Sequence, residues 1–277
     1  MGVVVNTNIS SITASRILSE NRADLEKAME RLASGKRINS AADDAAGMAV
    51  AAKMRADIGS LNQSVRNTND AISLVNTYDG AAAEIESILI RMRELAVQTR
   101  NGTYEEADRT NANFEYTALK NEITRIAGVS AFNRMTVGQG SSGAAGGTGV
   151  ADTTFTFYVG SDVAKTGNSI AFAAKALDLN LAVSSGTLNS VVDATSAGQA
   201  IATLDDAITE LAANRAQAGA LINRLEHTVS NLMNVSQRLQ EAVSGIEDAD
   251  YAAESANLAR GMVLAQAGTA MLAQANQ

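Results

Sequence analysis

Residues able to do chemistry are few, and their spacing suits structure better than catalysis. The chain has one His and no Cys. That excludes a multi-His metal site, a thiolate metal site and a Cys nucleophile. His227 falls on the outward side of a helical apolar stripe, which leaves no convincing Ser-His-acid set. Asp43-Asp44 and Glu247-Asp248-Ala249-Asp250 bring carboxylates close together, as acid–base work or a metal would require. Both groups stand where helices start, however, and there carboxylates cap backbone N–H groups and complement the helix dipole. Gly138-Gln-Gly-Ser-Ser-Gly143 spells a dinucleotide-binding pattern, which works only between a strand and a helix N-terminus. More glycine follows and no helix begins, so the segment reads as a linker. No G-x-x-x-x-G-K-[ST] loop is present. Arg91-Met-Arg-Glu-Leu-Ala-Val-Gln98 puts Met92 and Leu95 in an apolar stripe, with Arg91, Arg93, Glu94 and Gln98 outside it on a solvated face. These patterns predict a protein that is not an enzyme and uses no cofactor or metal.

Composition points the same way. Among 277 residues, 22 Lys and Arg against 30 Asp and Glu leave a net charge of −8, which argues against nucleic acid as a main partner. Hydrophobic residues make up 46% but aromatics only 4%, so Ala, Leu, Ile, Val and Met must supply the apolar faces. Pro is absent, where about 14 would be usual at about 5% usage. Since Pro breaks helices, long uninterrupted helices are expected. No run of apolar residues is long enough to span a bilayer, and Met1-Gly-Val-Val-Val-Asn-Thr-Asn8 does not resemble a cleaved leader. The expectation is a chain that stays in the cytosol or leaves by a route needing no cleaved signal.

The elements follow from apolar periodicity. Leu204, Leu211, Ala218, Leu225, Leu232, Leu239 and Ile246 recur every seven residues, with Ile208, Arg215, Ile222, Val229, Ser236 and Val243 four residues after the first six. This spacing predicts a coiled-coil helix, with Ser196-Ala-Gly-Gln199 as its capping box. A second helix is expected over 44–100, its stripe carrying Ile58, Leu61, Val65, Ile72 and Val75, then Tyr78, Ile85, Ile88, Met92 and Leu95. The phase change near Val75–Tyr78 reads as a stutter. Asn101-Gly102 stops it, and Thr103-Tyr-Glu-Glu106 restarts a helix that buries Ala112, Tyr116, Leu119, Ile123 and Ile126. Residues 138–149 read as a flexible loop. Thr153–Val159 and Ser169–Phe172 are expected to pair as a hairpin.

The ends are thinner. Leu18, Leu25 and Leu32 are interleaved with Ala14, Asn21 and Ala28. Leu258, Ala265 and Leu272 are interleaved with Met262 and Thr269. Small side chains bury little area at roughly 25 cal/mol per Å2, against ordering costs of about 1–2 kcal/mol per residue. Both ends are therefore expected to be disordered in the free monomer and ordered in an assembly. The fold class expected is mainly α: a long antiparallel coiled-coil rod with both termini at one end and a small β-hairpin region at the tip.

The sequence resembles bacterial flagellin. The resemblance rests on Asn6-Thr-Asn8, Glu30-Arg-Leu-Ala-Ser-Gly-Lys-Arg-Ile-Asn-Ser-Ala-Ala-Asp-Asp-Ala-Ala-Gly47, Arg66-Asn-Thr-Asn-Asp-Ala-Ile-Ser73 and Arg93-Glu-Leu-Ala-Val-Gln98. Near the other end it rests on Ile246-Glu-Asp-Ala-Asp-Tyr-Ala252, Gln266-Ala-Gly-Thr269 and Leu272–Gln277. It implies a subunit that polymerises into the extracellular flagellar filament for motility, exported unfolded through a type III-like apparatus. It also implies an export chaperone, and hook-associated and cap proteins, as partners. By the same resemblance, residues 1–44 plus 248–277 form an inner terminal-helix domain. Residues 45–247 form an outer rod, including the glycine-rich loop and β-hairpin at about 138–195, without large inserted domains. The family's Toll-like receptor 5 patch resembles Arg91, Leu95, Gln98 and Glu115, a surface that also packs between subunits. The terminal assembly stripe comprises Leu18, Leu25, Leu32, Leu258, Met262 and Leu272. A hook–filament junction protein of the same superfamily is the alternative.

Overall fold

A computed structural model describes residues 8–138, 153–160, 167–177 and 190–276. Its elements are α1 (Ile9–Ser34), α2 (Ala45–Arg100), α3 (Glu106–Val129), β1 (Ala131–Phe132), β2 (Met135–Thr136), β3 (Thr153–Tyr158), β4 (Ser169–Ala174), α4 (Ala194–Glu247) and α5 (Tyr251–Asn276). The class is mainly α with two small antiparallel hairpins. The chain forms two compact units, one of residues 1–59 and 235–277, the other of residues 60–234. The glycine-rich segment 139–149 lies outside the described residues.

Residues 60–234 hold the larger core. Along α2, Leu61, Thr68, Val75, Ala82, Leu89 and Ala96 form one buried row, and Ser64, Ala71, Tyr78, Ile85, Met92 and Thr99 the other. The seven-residue repeat is unbroken, so the expected stutter does not occur. Val65 and Ile72 are only half-buried beside the seam, while three hydroxyl residues lie within it. Those hydroxyls donate to carbonyls one turn back: Ser64 to Ser60 at 3.0 Å, Thr68 to Ser64 at 2.7 Å and Thr99 to Leu95 at 3.0 Å. A hydroxyl satisfied by its own helix can enter a dry seam, which apolarity alone does not reveal.

Facing them, α4 buries Leu204, Leu211, Ala218, Leu225 and Leu232, the expected row. Its second row begins as Ala200, Ala207, Asn214 and Leu221, one position before the expected Ile208, Arg215 and Ile222, which are half-buried. The reason is Arg215, whose guanidinium leaves the seam to meet Asp79 at 2.9 Å and Glu86. Arg93 meets Asp205 at 2.5 Å. Partner numbers fall along α4 as they rise along α2, so the two run antiparallel here. Helix α4 is capped by Asp193, which accepts from the Thr195 and Ser196 N–H groups at 2.8 Å each; Ser196–Gln199 lie inside the helix instead of capping it. In α3, Tyr116 and Ile123 are buried as expected, with Ala127. Its cap is Glu105 rather than Thr103, the Glu105 N–H donating to Asp108 at 3.4 Å.

The β3–β4 hairpin pairs Thr153 with Ala174 through Tyr158 with Ser169. Ile170, Phe172 and Ala174 point into the core. The ring of Phe172 meets Tyr78 edge-on, with centroids 5.3 Å apart, and the Tyr78 hydroxyl donates to Lys175 O at 3.1 Å. A second hairpin, β1–β2, was not expected from the sequence. Its two-residue turn places Asn133 and Arg134 at φ 48° and 66°, the left-handed pair of a tight hairpin turn. Arg in the place that usually holds Gly concealed it.

Candidate functional site

In the unit of residues 1–59 and 235–277, α1 packs antiparallel on α5. The Nη1 of Arg31 lies 2.8 Å from Glu254, Leu25 packs over Gly261, and Leu18 packs over Gly268. A Cβ on either glycine would stand 3.1–3.2 Å from the leucine Cδ1, so the absence of side chains sets the close approach of the two helices. The α1 seam is the expected one, with Leu18 and Ala28 buried and Ala14, Asn21, Leu25 and Leu32 partly so. The α5 seam runs through Glu254, Leu258, Gly261, Ala265, Gly268 and Leu272. Gly261 and Gly268 therefore take the positions expected of Met262 and Thr269. Met262 stands 52% exposed beside the seam.

The pair closes on a polar junction formed by the sequence's two acidic groups. Gly35 ends α1 at φ 70°, its N–H donating to Arg31 O at 2.8 Å. The backbone then crosses to the α4–α5 connection: the Arg37 N–H donates to Glu247 O at 2.6 Å, and the Ala249 N–H to Gly35 O at 3.0 Å. Glu247, only 4% exposed, lies 2.5 Å from Arg55 and 3.8 Å from Lys36. Asp43 lies 2.8 Å from Lys27 and accepts from the Ser40 and Asn39 N–H groups at 3.0 and 3.2 Å. Lys27 first, then these loop donors, hold its carboxyl well below the ordinary range. Asp44 caps α2 by accepting from the Gly47 N–H at 2.8 Å. A Cβ on Gly47 would come 2.4 Å from that carboxylate and 2.9 Å from Ile38. Asp250 caps α5 through the Ala252 and Ala253 N–H groups at 2.9 and 3.2 Å. The paired carboxylates are thus used as caps and ion-pair partners.

The second candidate surface lies on α2 and α3. Arg91 meets Glu115 at 2.8 Å and Glu94 at 3.1 Å, and these carboxylates, Glu115 foremost, raise its pKa further. Gln98 donates to the Tyr104 hydroxyl at 2.9 Å. Arg91, Gln98 and Glu115 are exposed, whereas Leu95, expected with them on one surface, is 2% exposed. His227 is exposed. Among the described residues no group of three or more His, Asp or Glu could hold a metal. No described helix is long and apolar enough to cross a membrane.

Heptad seams, with acidic groups engaged in capping and pairing, define a helical structural protein. Comparison with known proteins is specific. Residues 5–142 match the bacterial flagellin N-terminal helical region, and residues 201–277 match the C-terminal helical region. The chain is 41% identical over 277 residues to a flagellin of Halalkalibacterium halodurans, with 99% of this chain and 96% of that protein covered. It is 39% identical over 276 residues to the flagellar filament core protein flaB2 of Brachyspira hyodysenteriae, with the same coverage of each chain. The crystal structure of Bacillus cereus flagellin is 34% identical, with a TM-score of 0.49, covering 60% of this chain and 88% of that one. The chain belongs to the bacterial flagellin family. It is accordingly a structural protein and not an enzyme.

Proposed function

We propose that this chain is the structural subunit of an extracellular bacterial flagellar filament, and that its terminal helices order as copies assemble. The single observation carrying this is the apolar surface left around the α1–α5 seam. Ile9, Ile12, Ile17 and Met29 on α1, and Met262, Val263, Leu264 and Met271 on α5, are all exposed. Two helices whose outward faces carry this much apolar surface fit burial against further helices. Repeated copies joined by a contact that does not close on itself make a helical filament. The relatives named as flagellins and as a flagellar filament core protein support the same reading.

On this reading residues 1–44 with 248–277 form the inner part of the filament, and 45–247 the outer part. A chain without disulfides, with ends that bury little, suits unfolded export, and an export chaperone and hook-associated and cap proteins complete its partners. The decisive test removes residues 1–30 and measures sedimentation. Loss of sedimenting polymer is expected, and normal filaments from the truncated chain would refute the proposal. Hydrogen exchange then checks the folding step: α1 and α5 amides should exchange freely in dilute monomer and be protected in polymer.

Recognition of the monomer by Toll-like receptor 5 is a second property consistent with the α2–α3 surface. There Arg91, Gln98 and Glu115 present a guanidinium, an amide and a carboxylate, and Leu95 is buried. Reporter cells should respond less to Arg91→Ala than to the unaltered chain; equal potency would remove Arg91 from the patch.

A further inference from the structure

Residues 101–105 join α2 to α3 and contain the chain's one Asn-Gly pair, Asn101-Gly102. We propose that Asn101 is a site of spontaneous deamidation and isoaspartate formation, promoted by the fold around it. The reaction needs the Gly102 nitrogen to lose its proton and attack the Asn101 Cγ. The N–Cγ bond forms and the Cγ–Nδ2 bond breaks. The amide nitrogen leaves as ammonia with the proton shed by Gly102, and a cyclic imide remains. Water then opens either imide carbonyl, giving aspartate or isoaspartate. No oxidant, reductant or enzyme is required.

Three features of the loop favour these steps. The carbonyl oxygen of Asn101 belongs to the same peptide group as the attacking nitrogen. It accepts from the Tyr104 N–H at 3.3 Å and from the Arg109 guanidinium at 3.3 Å. Two donors on that oxygen, one of them cationic, stabilise the anion left when the nitrogen is deprotonated. The guanidinium is fixed in place by a second bond, from its Nε to Thr99 O at 3.0 Å. Second, the Asn101 Oδ1 accepts from the Thr103 N–H at 3.5 Å, a donor aimed where negative charge grows as the nitrogen attacks. Third, Asn101 and Gly102 are exposed, nothing stands within 4 Å of where a Gly102 Cβ would be, and among the described residues the Gly102 N–H donates no hydrogen bond. The nucleophile is unshielded and water can reach the imide. The product carries a new carboxylate on the residue whose backbone carbonyl Arg109 holds. In the isoaspartate form the backbone is also one methylene longer, at the turn that sets α3 against α2.

The test incubates the full-length protein at mildly alkaline pH and follows residue 101 by peptide mass spectrometry and isoaspartyl-specific methylation. The native chain should accumulate isoaspartate at 101 ahead of its other asparagines, and faster than the same chain unfolded in urea. Gly102→Ala, whose Cβ meets no neighbour, should slow the reaction about tenfold by shielding the nitrogen. Arg109→Gln keeps the Asn-Gly pair and should slow it several-fold. A native rate equal to or below the urea rate would overturn the proposal. So would a folded Arg109→Gln chain reacting at the unaltered rate. Should that variant fail to fold, the native-against-urea comparison still decides.

Discussion

Asp43 shows how little of this chain's charge is decorative. Its carboxylate gathers Lys27, two loop N–H groups and the Ser40 hydroxyl, and so fastens the 35–44 connection to α1. Its folded pKa lies below the ordinary 3.8, with the Lys27 hydrogen bond as the largest cause. The contribution to stability is therefore complete above the unfolded value and is lost as pH falls below it. Replacing Asp43 with Asn should lower stability at neutral pH and flatten the acid limb of the unfolding curve, read by circular dichroism between the acid range and pH 7. Gly47 makes a steric demand at the same junction. Gly47→Ala forces its Cβ onto the Asp44 carboxylate that caps α2, and a cost of about 1–3 kcal/mol in urea denaturation is expected, as for other overpacked sites.

At the scale of elements, a seam and its flank should respond differently to substitution. Leu211 is fully buried in α4, so Leu211→Ala should cost about 2–5 kcal/mol. Met262 lies off the α5 seam, so Met262→Ser should change the stability of the isolated chain by no more than about 0.5 kcal/mol. On the filament reading the same substitution should raise the concentration needed for polymerisation, measured by sedimentation. The helices and the leading seam row of α4 were legible from apolar residues at helical spacing, and the larger hairpin from the β-prone Thr153–Val159 run, whose strand alternates in burial. The unbroken α2 seam was not legible, because Ser64, Thr68 and Thr99 enter it with hydroxyls already satisfied. The α5 seam was obscured in the opposite sense: Gly261 and Gly268 show no hydrophobicity, yet they are what Leu25 and Leu18 pack on. Asp44 and Asp250 were readable as helix-start residues, and they cap α2 and α5. Glu247 was not, because it ends α4 instead of starting a helix. The ion-pair partners Lys27, Arg55 and Lys36 were not legible either, since nothing in local sequence reports a contact between distant positions.

At the scale of the molecule, the two units differ in what supports them. Residues 60–234 contain a continuous buried core of large aliphatic and aromatic side chains, from Ala71 through Leu225. The α1–α5 pair rests on a narrow seam with a large apolar exterior; Val263 is 66% exposed and Ile12 61%. Opening free energies should follow that difference. Limited proteolysis of dilute protein should trim α1 and α5 first and leave a resistant fragment within 60–234. Polymerised protein should resist trimming at both ends. Uniform digestion along the dilute chain would contradict this ordering.

Arg31 finds Glu254 across 223 positions of chain. Helix α1 is therefore made long before α5, the mate that its seam closes on. Until then its leucines have nothing of their own to close upon. Any machinery that handles the chain from its amino side meets an unpaired strip of Leu, Ile and Ala until α5 follows, and the arrival of α5 decides when that strip is covered.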